Sequence, residues 1–230
     1  MKKANIAIIP ARFGSERIKN KNIKSFLGKP IIAYPIIACL KSKLFSRVIV
    51  STNNKKISDI SKKYGAEVML RDKKFLSNNQ TPVGDVIKDL VKKFKKDQTQ
   101  VRGICCVFPT TPMIKIKDLK KTYKNFLNDP KRFIITVQKF SHSIQRSFYF
   151  KKNKVKIFSR KDILKRSQDL ISAYHDAGQF YWGSEKSWTK KNILLNNKLF
   201  LYKLKKLNAF DLDNLEDWQF CEYIYRFNRK

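Results

Sequence analysis

The chain has 230 residues and 42% of them are hydrophobic, enough for one domain with a substantial core. Its 51 Lys and Arg against 18 Asp and Glu give a formal charge of +33. That field attracts anions, but the lysines are spread through nearly every segment rather than gathered on one face or tail, which argues against a nucleic-acid partner. The first apolar run is cut by Pro10 and Arg12, and no stretch approaches the roughly 20 apolar residues of a membrane span, so a soluble, cytoplasmic protein is expected.

In chain order, residues 4–10 read as a buried strand ended by Pro10. Residues 12–24 are polar, carry Gly14 and Ser15, and predict a loop. Pro30 is placed to open a helix that continues through Leu40. Residues 47–52 predict a second strand, 54–64 a helix stopped by Gly65, and 67–70 a short third strand. Val86, Ile87, Leu90, Val91 and Phe94 lie on one face of a helix over 83–94. A fully apolar strand follows at 103–108, then a helix marked by Leu119, Tyr123, Phe126 and Leu127, then a fifth strand at 133–138. Alternating strands and helices predict an α/β fold with a mostly parallel sheet flanked by helices. Ligands on such sheets bind beyond the carboxyl ends of the strands.

The rhythm changes after Phe140. Residues 148–150 and 154–158 predict a β-hairpin around Lys151, Lys152 and Asn153. Residues 159–177 are polar and aperiodic, and 180–182 and 200–202 return to strand character. A helix over 216–227 closes the chain. The whole of 1–230 reads as one domain, with 141–179 as an inserted lobe.

Cys39, Cys105, Cys106 and Cys221 show no CxxC spacing, and with His142 and His175 they make no metal-ligand pattern, so buried reduced thiols are expected. The glycine loop after the first strand could bring backbone close to a phosphate, with Arg12 and Lys21 adding charge. It is not a Walker loop. Asp211 and Asp213 flank Leu212, and alternate residues of an extended segment share a face. Two such carboxylates suit Mg²⁺, though on spacing alone the simpler reading is that Asp213 caps the last helix. His175 beside Asp176 suggests a base, but no nucleophile motif accompanies it.

Together these segments resemble one family. The run Ile8-Ile9-Pro10-Ala11-Arg12-Phe13-Gly14-Ser15 with Lys21-Asn22-Ile23 is similar to the opening signature of the acylneuraminate cytidylyltransferases. Leu27-Gly28-Lys29-Pro30, Val50-Ser51-Thr52, Pro109-Thr110-Thr111-Pro112 and Asp211-Leu212-Asp213 match in order and spacing, so the resemblance covers nearly the whole chain. Arg166 to Leu170, Tyr174 to Trp182, Ile144-Gln145-Arg146 and Phe108 resemble the pseudaminic acid branch of that family.

The resemblance implies a Rossmann-like, GT-A-like nucleotide-diphospho-sugar transferase fold and transfer of CMP from CTP to pseudaminic acid. Another nonulosonic acid, legionaminic or N-acetylneuraminic, is the near alternative. A basic nucleic-acid-binding protein on a degenerate scaffold is the distant one. By the resemblance, Ala11, Arg12, Gly14, Ser15, Lys21, Asn22 and Arg71 meet the nucleotide, and Asp211 and Asp213 hold Mg²⁺. Arg12, Lys21, Asp211 and Asp213 then carry the catalysis, and Phe108, Gln145, Arg146, Arg166, His175 and Gln179 form the sugar pocket. A homodimer with lobe 141–179 reaching the partner subunit is also implied. Three positions depart from the family pattern: Phe13 replaces glycine, Glu16 replaces a basic residue and is expected to weaken CTP binding, and Met113 replaces an aromatic residue or leucine.

Overall fold

The computed structural model describes residues 3–15, 17–71, 81–196 and 198–228. In chain order the elements are β1 (Ala4–Pro10), β2 (Ser25–Phe26), β3 (Lys29–Pro30), α1 (Ala33–Ser42), β4 (Arg47–Thr52), α2 (Lys55–Lys63), β5 (Glu67–Leu70) and α3 (Val83–Lys96). There follow β6 (Val101–Val107), α4 (Ile116–Asn128), β7 (Arg132–Lys139), β8 (Phe148–Lys151), β9 (Lys154–Ile157) and β10 (Tyr174–Gly183). The chain closes with α5 (Glu185–Thr189), α6 (Ile193–Asn196), β11 (Lys198–Lys203) and α7 (Leu215–Phe227).

Seven strands form one sheet in the order β11-β7-β10-β6-β1-β4-β5. Every pairing in it is parallel except the two made by β10, which runs antiparallel between β6 and β7. The expected mostly parallel α/β sheet is therefore present, and the antiparallel strand is new. Successive side chains of a strand point to opposite faces. Ala7 and Ile9 accordingly join Ile36, Ile57, Leu119 and Phe126 on the side covered by α1, α2 and α4. Ile6 and Ile8 join Ile87, Leu90, Phe94 and Trp188 on the side covered by α3 and α5. With both faces buried, β1 and β6 must be apolar throughout, which is why they read as continuous runs.

Two sequence expectations shift. Pro30 does not open a helix: it pairs with Ser25 in the β2–β3 hairpin. The two residues between these strands, Leu27 and Gly28, have φ of 45° and 85°, the left-handed pair that a tight hairpin of this hand demands. Helix α1 starts at Ala33, and Pro35 sits in its first turn, where a missing N–H costs nothing. This hairpin packs under α7, with Phe26 edge-on to Tyr34, Trp218 and Tyr225. Met113 is buried in the same cluster with Ile18 and Leu212, so its departure from the family pattern is a packing matter.

The inserted lobe is narrower than 141–179. It leaves the sheet after β7 and returns at Ala173, whose carbonyl accepts from Phe140 N at 3.1 Å. Residues 174–179 belong to β10, hidden in the sequence because that strand is bulged and polar at its start. Within the lobe β8 and β9 form a two-stranded sheet of their own among the described residues, around Lys152 and Asn153 at φ 49° and 57°.

Candidate active site

The carboxyl edge of the parallel strands lines a cleft of about 440 Å³. The loop after β1 contributes Arg12, Ser15, Arg17, Lys21 and Asn22; the end of β5 contributes Arg71; the turn after β6 contributes Phe108, Pro109 and Thr110. Asp211 and Asp213 come from the segment between β11 and α7, and Asp176 and Gly178 from the start of β10.

Local chemistry fixes these positions. Buried Asn22 donates through Nδ2 to the Arg12 carbonyl at 2.8 Å, pinning the β1 loop across its base. Gly14 turns that loop at φ 89°, a conformation a side chain would resist. Arg71 is buried and donates through Nε to the Ser51 carbonyl at 3.1 Å. The last helix is capped by Asn214, whose side chain accepts from Asp217 N at 2.8 Å while Asp217 reaches back to Asn214 N at 3.0 Å. This reciprocal box removes the capping duty from Asp213. Its carboxylate is turned to Arg17 instead, at 2.7 Å.

The charges are coupled. Burial lowers the Lys21 pKa, against the opposing pull of Asp211 and Asp213. The Asp211 pKa is raised, first by the protein packed around it and then by the charge of Asp213, although its outer edge faces solvent. Burial brings Arg71 down to about 10. Lys21 and Asp211 thus offset only part of what burial costs each of them as ions. That arrangement can receive a polyanion on Lys21, Arg12 and Arg71, with oxygen ligands for a cation beside it.

The two metal candidates and five of the nucleotide candidates therefore share one cleft: Asp211, Asp213, Arg12, Ser15, Lys21, Asn22 and Arg71. Gly14 lines a small adjoining recess with Phe13 and Ser15. Ala11 is fully buried, with its N–H bonded to Ser51 O at 2.9 Å, and its side chain serves the core. Glu16 lies outside the described residues.

The sugar candidates divide. Phe108 lines the cleft. Gln179 does not: it is 1% exposed, and its Nε2 donates to the Asn208 carbonyl at 2.7 Å. It anchors the segment that leads to Asp211, beneath the cleft. His175 does not line it either: its ring packs tilted against Phe140 at 4.9 Å, with Nδ1 against the Asp176 carbonyl. Gln145, Arg146 and Arg166 all lie in the lobe. Gln145 donates to Ile171 O at 2.8 Å, Arg146 lines a cavity of about 580 Å³ formed by lobe residues and Lys139, and Arg166 pairs with Asp169 at 2.8 Å. None of these three lines the cleft of its own chain. The sequence reading weighed Asp176 only as a neighbour of His175; the structure places it on the cleft, at the start of a bulge that the sequence pattern does not show.

A parallel sheet whose carboxyl edge sets phosphate-seeking cations against paired carboxylates is the architecture of a nucleotidyltransferase. Similarity to known proteins narrows that class. The cytidylyltransferase family model matches residues 6–228, and the chain belongs to that family. It is 34% identical over 227 residues to the pseudaminic acid cytidylyltransferase of Campylobacter jejuni subsp. jejuni serotype O:2, covering 98% of each chain. It is 28% identical over 235 residues to the CMP-N,N'-diacetyllegionaminic acid synthase of Legionella pneumophila subsp. pneumophila, covering 98% of this chain and 97% of that one. Among solved structures, CMP:2-keto-3-deoxy-manno-octonic acid synthetase complexed with CTP superposes with a TM-score of 0.69 at 16% identity, over 99% of this chain and 100% of that one. That last likeness establishes the shared fold. Among the described residues, no helix is long and apolar enough to cross a membrane.

Proposed function

We propose that the protein transfers CMP from CTP to pseudaminic acid, releasing pyrophosphate. One observation carries the reading: a chain 34% identical to a pseudaminic acid cytidylyltransferase over 98% of its length keeps Arg12, Lys21, Asp211 and Asp213 together on one cleft. The anomeric hydroxyl attacks the α-phosphorus of CTP. An O–P bond forms to the sugar, the P–O bond to the β-phosphate breaks, and the hydroxyl proton leaves to solvent. Negative charge gathers on the α-phosphate oxygens and on the departing pyrophosphate. Lys21 and Arg12, both on that cleft, are the cations proposed to stabilise that charge, the usual source of rate in phosphoryl chemistry. Buried Arg71 lines the same cleft.

The oxygen donors suit a divalent cation of the Mg²⁺ type. Such an ion binds through one or two carboxylates and takes its remaining ligands from water and phosphate. Asp211 and Asp213 supply that number, and among the described residues no larger group of His, Cys, Asp and Glu gathers. Bound there, Mg²⁺ would neutralise phosphate charge and orient the leaving group. Asp211 and Asp213 are its proposed ligands, and Lys21 and Arg17 balance their charge without it.

A homodimer is part of the proposal. The lobe exposes Phe150 at 80%, Leu164 at 95% and Ile171 at 85%, more apolar surface than a lone appendage usually leaves in water. A partner would also bring Gln145, Arg146 and Arg166 within reach of a cleft they do not meet in their own chain.

Pyrophosphate release with CTP and Mg²⁺ tests the reading, with pseudaminic, legionaminic and N-acetylneuraminic acids compared side by side. Turnover of pseudaminic acid well above the others supports it. Preference for another acid keeps the reaction and overturns the substrate. Absence of turnover with all three, from folded protein, overturns the reading.

A further inference from the structure

The strand β10 carries a group that the reaction so far described does not use. Along β10, Asp176 opposes Val137 and Tyr181 opposes Ile135. Five steps on one strand thus match two on the other, so the residues between them bulge out of the ladder with β7. Gly178, at φ 57°, turns the bulge, and Asp176 and Gly178 are lifted into the cleft. Bulges commonly re-aim one side chain at a site.

The carboxylate is held from two sides. Its Oδ1 accepts from Gly178 N at 2.9 Å, and its Oδ2 accepts from the Tyr181 hydroxyl. The Tyr181 ring is itself fixed, edge-on to Phe108 at 5.3 Å and tilted on Phe133 at 6.1 Å. Burial, and then the nearby Asp176 charge and hydrogen bond, raise the Tyr181 pKa, so its hydroxyl stays protonated and stays a donor. A carboxylate oxygen has two acceptor sites. One on each oxygen is taken, and Asp176 remains exposed to the cleft for the rest.

Its place along the sheet says which ligand it meets. The basic residues come from β1 and β5, whereas β10 lies beyond β6 on the other side of β1. A carboxylate at that end repels triphosphate oxygens and the acid group of the sugar alike. It suits a neutral hydrogen-bond donor.

We propose that Asp176 is a specificity-determining residue, a fixed acceptor for a hydroxyl or amide N–H of the acceptor sugar, with Tyr181 as its positioning residue. This rests on the reaction proposed above. The bulge gives the aim, the two donors give the rigidity, and Phe108 couples the sugar wall to the same unit through Tyr181.

The test is steady-state kinetics in both substrates for Asp176→Asn, Tyr181→Phe and the double variant. Asparagine is isosteric. With its oxygen on Gly178 N–H, its amide turns one hydrogen to Tyr181 and the other to the cleft, so a donor then faces the sugar's donor. Asp176→Asn is expected to raise KM for the sugar about tenfold or more, because the sugar's donor then meets a second donor in place of an acceptor. KM for CTP should stay within about twofold, which also reports an intact fold. Tyr181→Phe should shift KM for the sugar in the same direction by less. The double variant should be no worse than Asp176→Asn alone, since Tyr181 acts through Asp176. Acids bearing acylamido groups, compared with 2-keto-3-deoxy-manno-octonic acid, which bears hydroxyls only, distinguish the two donors: a selective loss on the acylamido acids identifies the N–H, an equal loss the O–H. An unchanged KM for the sugar in Asp176→Asn overturns the proposal. So does a fall in kcat alone, which would make Asp176 a base or a metal partner, or a rise in KM for CTP alone. If the wild-type protein turns over none of these acids, the proposed reaction has failed instead.

Discussion

Replacing Gln179 with leucine separates a residue that supports the cleft from one that touches the sugar. Gln179 is buried, and its Nε2 donates to Asn208 O at 2.7 Å. Gln138 reaches the same segment, donating to Lys206 O at 3.0 Å and Ala209 O at 3.1 Å. The two amides clamp the chain just before Asp211. Gln179→Leu leaves the carbonyl of buried Asn208 without its donor, which costs about 1–3 kcal/mol. The Gln179 Oε1 is buried and accepts no hydrogen bond among the described residues, so its removal offsets part of that. A net loss of about 1 kcal/mol is expected, or about 2–4 °C in Tm for a chain of this size. Thermal unfolding at fixed protein concentration measures it. Kinetics should show a lower kcat, because Asp211 is less well held, with KM for the sugar within about twofold. A KM for the sugar raised tenfold with an unchanged Tm would refute the reasoning and return Gln179 to the sugar pocket.

Asp211→Asn should cut kcat by about a hundredfold or more, the scale of losing one preorganised charge contact. In chelator-treated protein the same substitution should not destabilise. Burial, and then the Asp213 charge, raise the Asp211 pKa above the ordinary carboxylate value, so the folded state binds the proton more tightly than the unfolded chain, and wild-type stability falls as pH rises from the ordinary value through the raised one. The asparagine variant lacks this fall and should be equal or slightly more stable at neutral pH; a clear drop in Tm there would contradict the sign. Lys21→Met should lower kcat/KM about a hundredfold with little change in Tm, because burial already opposes its charge; an unchanged kcat/KM would remove Lys21 from phosphate binding. All four cysteines are buried and free, and burial pushes Cys221 up to about 12, so a thiol reagent should label none before unfolding. Fast labelling of the native protein would show that one of them is open.

How far the sequence revealed the molecule depended on whether each signal was local. The strand at 47–52 and the helix at 54–64 were readable because Val48, Ile49 and Val50 are buried on both faces and Asn54 caps in place, accepting from Ile57 N at 3.1 Å. The apolar stripe of α3 was readable because four of its five predicted residues, Ile87, Leu90, Val91 and Phe94, face one core, while buried Val86 lines the cleft. Pro30 misled because a helix start and a hairpin edge both tolerate a missing N–H. Helices α5 and α6 span 5 and 4 residues, too short to show a period. The antiparallel course of β10 left no trace, because direction is set by which strands it joins. At the site, the Asp211–Asp213 pair was legible from spacing. What freed Asp213 was not read there: the reciprocal box belongs to Asn214 and Asp217. On β10 the structure places Asp176 and Gly178 on the cleft and leaves Gln179 and His175 off it, a division the sequence did not show because the bulge between Asp176 and Tyr181 breaks the simple alternation of a strand.

The most direct test of the central claim follows the anomeric oxygen. Pseudaminic acid labelled with ¹⁸O at its anomeric hydroxyl is incubated with CTP, Mg²⁺ and the protein, and the products are weighed by mass spectrometry. Attack by that hydroxyl on the α-phosphorus predicts a CMP-sugar that keeps the label as its bridging oxygen, and pyrophosphate without label. Label in the pyrophosphate, or a CMP-sugar that has lost it, would contradict the account.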